Sequence, residues 1–118
     1  MQPTMPARFW AYADELVATS QVVLGRPKGN RHPRYPGAAY PLDYGYLAGT
    51  SAADGGGIDV WRGSLPTARV TGVLLTLDLL KRDAEVKLLL GCTPEEAEMA
   101  LQHDNADSMA ATLILRQP

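Results

Sequence analysis

The residues able to do chemistry are concentrated between Arg26 and Val60. Lys28, Arg31 and Arg34 place three cations in a loop rich in Pro and Gly, with His32 beside them. Tyr35, Tyr40, Tyr44 and Tyr46 follow with hydroxyls on rigid rings, and Asp54 and Asp59 then flank Gly55-Gly56-Gly57. Cations next to carboxylates suit a phosphate bound together with a divalent metal. The basic groups hold the anion, and the carboxylates hold the metal that neutralises it. Arg offers bidentate contacts to phosphate, whereas Lys acts as a point charge. Glycines let a backbone approach a ligand closely. Asp54-Gly55 is equally ordinary turn chemistry, and the local sequence leaves both readings open.

A second acidic pair, Asp78 and Asp83, lies around a strand end with Lys81 and Arg82 between them. A solvated turn explains it as well as a ligand set does. Tyr40 and Tyr44 can pack their rings in a core with the hydroxyl on a partner, or face a phosphate. Neither His32 nor His103 has a partner at metal-site spacing, and neither is taken as catalytic. Ser20, Ser51 and Ser64 lack the context of a serine nucleophile. Cys92, the sole cysteine, excludes an intrachain disulfide and reads as a small apolar core residue.

Tyr40-Pro41-Leu42-Asp43-Tyr44-Gly45-Tyr46, followed by Asp54-Gly55-Gly56-Gly57-Ile58-Asp59-Val60, resembles the soluble inorganic pyrophosphatase family. That family carries Y-P-x-x-Y-G-Y/F and then D-G-D-P-x-D-V. Arg26-Pro27-Lys28-Gly29-Asn30-Arg31 is similar to its I-P-K-G-S-R segment. Thr71-Gly72-Val73-Leu74, leading to Asp78 and Asp83, is similar to its V-G-V strand and D-x-x-x-x-D pair. The resemblance runs in order from about Val22 to Leu90. It implies Mg2+-dependent hydrolysis of diphosphate, or a related phosphoanhydride, to phosphate. Asp54, Asp59, Asp78 and Asp83 would hold Mg2+. Lys28, Arg31, Arg34, Tyr40 and Tyr44 would bind the substrate, with Asp59, Lys28, Arg34 and Tyr40 serving the chemistry.

The departures are equally specific. The family's middle aspartate, which helps activate the attacking water, is matched by Gly56. Its lysine after the later pair is matched by Glu85, with Lys87 two residues on. The hairpin between the basic loop and the tyrosines has no counterpart. Asp43 or Glu85 is an alternative base. Two other readings stand beside hydrolysis. One is a phosphate- or nucleotide-binding protein without turnover. The other is a single-strand nucleic-acid binder that stacks bases on its aromatics. The net charge of −2 and the acids near the same site argue against the last.

The elements that must position these groups follow from periodicity. Pro6–Thr19 carries an apolar stripe at helical spacing. Val22–Leu24 reads as a short strand and Gly25–Ser51 as ordered coil with short extended pieces, a length of loop that itself points to function. Ile58–Leu65, Arg69–Leu80, Glu85–Leu90 and Thr112–Arg116 read as strands. Thr93, Pro94 and Glu96 spell a helix start with a capping box, and the helix runs to Gln102 or His103. This order predicts a small α+β, mainly β domain over residues 1–118, with two flanking helices. The resemblance implies an OB-like closed barrel. Hydrophobic residues at 46% and charged residues at 20% fit a globular chain, and self-association is expected. The absence of a signal pattern and of an apolar run of membrane length predicts a cytoplasmic protein with no membrane partner.

Overall fold

Residues 5–31, 39–52 and 55–118 are described by a computed structural model of the chain. Helix α1 (Ala7–Ala18) leads into strand β1 (Gln21–Arg26). Strands β2 (Asp43–Ala48), β3 (Ile58–Arg62), β4 (Val70–Asp78) and β5 (Asp83–Leu90) follow. Helix α2 (Pro94–Asp104) and strand β6 (Met109–Leu115) complete the order. The six strands form one sheet in the order β1-β2-β3-β5-β4-β6. All neighbours are antiparallel except β3 and β5, which run parallel. The radius of gyration, 13.5 Å, is that of a compact chain of this length.

The sheet buries both faces, one under each helix. Trp10, Ala13 and Val17 of α1 pack on Leu47, Val60, Val73, Leu88 and Ile114. On the other face Ala97 and Ala100 of α2 pack on Trp61, Leu74 and Leu89, with Tyr40 and Leu42 at the margin. Side chains alternate between faces along a strand, so the two sets come from interleaved positions. α1 touches both β1 and β4, which lie far apart in the strand order. A helix can reach both only because the sheet curls around it. The pairings describe an open sheet: β1 and β6 end the order, and no ladder joins them among the described residues.

β2 sharpens the sequence reading of ordered coil with short extended pieces: this extended piece is a full strand of the sheet. Tyr44, Gly45, Tyr46 and Leu47 alternate in burial and pair with β1 on one side and β3 on the other. Gly45 hid the strand from the sequence, and it is the reason the strand fits. A Cβ there would collide with the Val23 carbonyl and the Leu24 Cα of β1. The capping box of α2 forms as expected: Glu96 N–H donates to the Thr93 hydroxyl at 3.1 Å and Thr93 N–H to the Glu96 carboxylate at 2.9 Å. Cys92 is buried, and burial pushes its thiol up to about 12. No helix among the described residues is long and apolar enough to cross a membrane.

Candidate functional site

Under the carboxy-terminal end of α2, the sheet face changes from apolar to polar. Along β5, Lys87, Glu85 and Asp83 succeed Leu89 on that face. Their partners across β4 are Leu74, Thr76 and Asp78. Across β2 and β3, Tyr44 stands opposite Trp61, and Tyr46 opposite Asp59. Because β3 and β5 are parallel, their polar starts lie at the same end of the sheet, and antiparallel β4 arrives there with its last residues. The result is a cleft of about 750 Å3 floored by these strands. Arg26 stands at its rim, and His103, Asp104 and Ser108 form the far wall.

One hydrogen-bonded pair fixes the floor. The Tyr44 hydroxyl donates to Asp59 Oδ2 at 2.7 Å. Burial, reinforced by the charge and hydrogen bond of Asp59, holds the Tyr44 phenol protonated far beyond its ordinary range. Tyr44 is therefore a fixed donor that orients the Asp59 carboxylate. The Tyr40 hydroxyl accepts from the Arg26 guanidinium at 2.5 Å. The Tyr40 ring stacks on Tyr44 at 5.5 Å and on His103 at 5.3 Å between centroids.

Asp104 is the hub of the far wall. It is 1% exposed. Its carboxylate faces Trp61 Nε1 at 3.3 Å, Lys87 Nζ at 3.4 Å and His103 Nδ1 at 3.2 Å. Lys87 is itself buried, and its ammonium also lies 5.2 Å from the Tyr44 ring centroid. With Nδ1 directed at Asp104, Nε2 is left for another partner. Among the described residues, His103 Nε2 is the buried side-chain nitrogen or oxygen that has no hydrogen-bond partner.

The acids at the strand ends divide by role. Asp78 Oδ1 accepts from Leu80 N–H at 2.9 Å, Lys81 N–H at 3.1 Å and Ser108 Oγ at 2.9 Å. The Lys81 N–H is the main cause that lowers its carboxyl, opposed by slight desolvation and helped by Ser108. Asp78 thus caps the β4–β5 turn with one oxygen. Asp83 pairs with it in register. Among the described residues no three His, Cys, Asp or Glu side chains converge on one metal position. Mg2+ demands less than that: one or two protein carboxylates, with water and phosphate oxygens completing the shell. Asp59, Asp78, Asp83 and Glu85 are hard oxygen donors that line one cleft.

The cleft therefore brings together Tyr40, Tyr44, Asp59, Asp78 and Asp83 from the residues singled out in the sequence. Lys28 and Arg31 are exposed and are not among its lining residues; Lys28 uses its backbone N–H to hold Asp43 Oδ1 at 2.8 Å. Arg34, Tyr35, His32 and Asp54 lie outside the described residues. At the ends of the acidic loop, Ala52 N–H donates to the Gly56 carbonyl at 2.7 Å, and Gly55 has φ +84°. Sequence reasoning missed Arg26, Lys87 and the Asp104–His103 pair as parts of the site. Lys87 was legible in the alternation of β5. His103 was set aside for want of a partner, and its neighbour Asp104 is that partner; adjacency at a helix end carries no spacing signal. No family model matches the chain, and no curated protein matches it.

Proposed function

We propose that the chain binds diphosphate, or a related phosphoanhydride, with Mg2+ in this cleft and hydrolyses it to phosphate. The observation that carries the reading is one cleft lined by Arg26, Tyr40, Tyr44, Asp59, Asp83 and Glu85. The motif resemblance named the tyrosines and Asp59 before the fold brought them together, which supports the same reading. An OB-like barrel belongs to it, and the curling of the sheet around α1 supports that shape. A cytoplasmic, self-associating protein belongs to it as well.

Asp59, oriented by Tyr44, and Asp83 or Glu85 would hold the metal. Bound there, Mg2+ would screen the substrate's charge and lower the pKa of a coordinated water. Arg26 is placed to hold a phosphate oxygen and to stabilise charge on the leaving phosphate. Tyr40, on the same guanidinium, sets the direction of that fork. Gly56 brings no carboxylate to the position of the family's base, and this favours a second reading: the same ligand bound without turnover.

Phosphate release from diphosphate with Mg2+, measured on the wild type and Asp59→Asn, tests both. Hydrolysis should be present and should fall with metal binding in Asp59→Asn. Calorimetric binding of Mg2+ and diphosphate without phosphate release would select the second reading. No binding of either would refute both.

A further inference from the structure

We infer that His103 is the proton-transfer residue of this cleft, with Asp104 as its positioning carboxylate, in place of the acid that Gly56 does not supply. The inference rests on the hydrolytic reading above. Three observations meet in it. Asp104 is buried and tied by Trp61 and Lys87, so it cannot turn away from His103. The bond from Nδ1–H to Asp104 fixes the ring and leaves Nε2 as the acceptor, which is the arrangement a general base requires. Among the described residues Nε2 has no hydrogen-bond partner although it is buried beside the cleft, and leaving a buried polar atom unpaired is costly. Such a group calls for an explanation, and a reacting water supplies one.

Nε2 is covered by aromatic rings. Tyr40 stacks on the ring, and Trp61 meets it edge-on with centroids 5.2 Å apart. Arg26 also reaches the Tyr40 hydroxyl, so the cation that would hold phosphate stands next to the ring over His103.

In the reaction, the oxygen of a water forms a bond to one phosphorus and the bridging P–O bond breaks with its electron pair on the leaving phosphate. The proton lost by the water passes to Nε2, and the imidazolium returns it to the leaving phosphate. The groups that face His103 are Asp104 on its own helix, Tyr40, Lys87 through Asp104, and Arg26 through Tyr40.

The test uses the full chain with Mg2+ and diphosphate. His103→Gln should lower kcat about 10²-fold with little change in KM, the size of effect a general base supplies. The pH–rate profile of His103→Gln should differ from that of the wild type. Asp104→Asn should lower kcat with little change in KM, because the base is present but misdirected. An imidodiphosphate complex, followed by NMR, should move the His103 ring resonances of the wild type. A folded His103→Gln with wild-type kcat and pH profile overturns the assignment. So does imidodiphosphate binding that leaves the His103 resonances unmoved. Failure of diphosphate to bind at all refutes the underlying reading, and the assignment of His103 with it.

Discussion

Lys87→Met isolates the most consequential electrostatic pair in the fold. Lys87 is 6% exposed and Asp104 is 1% exposed, with Nζ and Oδ2 3.4 Å apart. Methionine fills nearly the same volume, so little cavity forms. The cost comes from Asp104, which keeps Trp61 and His103 but loses its cation. Removing one partner of a buried pair costs about 3–5 kcal/mol, and the two remaining hydrogen bonds place this case near about 3. For a chain of this length, that corresponds to a fall in melting temperature of roughly 12 °C. Urea unfolding followed by circular dichroism should show a lower midpoint at unchanged slope. Asp104→Asn should cost a similar amount. The double variant should cost less than the two together, by about 1–3 kcal/mol of coupling. A loss below about 0.5 kcal/mol in Lys87→Met, the range of ordinary surface changes, would show that solvent already screens the pair and would refute the reasoning.

Gly45→Ala should destabilise the fold by about 3 kcal/mol or more, read as a thermal shift, because the added methyl meets backbone atoms of β1 that cannot move aside. Glu96→Ala should cost about 1 kcal/mol through the lost cap, and should also free Ser64 N–H, which donates to the same carboxylate at 3.1 Å. Burial raises the Glu96 carboxyl, but the Thr93 and Ser64 N–H groups outweigh it and hold the group below 4.5. Its contribution is therefore full above that value and is lost as pH falls through the lowered one, so wild type and Glu96→Ala should converge in urea unfolding in acid. Gly56→Asp should change Mg2+-dependent phosphate release by less than about tenfold, because His103 already supplies the base; a larger rise would show that the base near the metal limits turnover and would count against His103.

The sequence made the helices legible because their signals are local. The capping box at Thr93–Glu96 needs four residues, and the stripe of α1 needs a few turns. β2 is legible only as a short extended piece within coil, because its place in the sheet depends on β1 lying against Gly45, a contact no local pattern encodes. The cleft was half legible. Tyr44 and Asp59 stand in a motif, and the fold joins them at 2.7 Å. Asp78 showed both of its local readings: it lies in the cleft, yet it also caps its own turn with one oxygen. Lys87, Asp104 and His103 come from two elements whose meeting is set by how α2 crosses the sheet. That crossing is fixed by Ala97 and Ala100 seating on Trp61 and Leu89, residues that carry no chemistry themselves.

The charge balance of the cleft decides which form of the ligand it can accept. Its lining includes the cations Arg26, Lys81 and Lys87, against carboxylates on Asp59, Asp78, Asp83, Glu85, Asp104 and Asp107. Lys87 is committed to Asp104 at 3.4 Å, so its charge is largely spent inside the wall. What faces a ligand is an excess of carboxylate, and a bare diphosphate would be repelled from it. Mg2+ changes the sign of the problem, because it neutralises the acids and the phosphates together. Arg26 then provides direction more than attraction. The expected outcome is sharp: without Mg2+, calorimetry should detect no diphosphate binding, whereas Mg2+ alone should bind weakly and diphosphate should tighten it. The two affinities must then rise by the same factor, since the coupling is reciprocal. Tight binding of diphosphate in the presence of a chelator would show that the cations, not the metal, hold the anion. The assignment of Asp59, Asp83 and Glu85 to the metal would then fail.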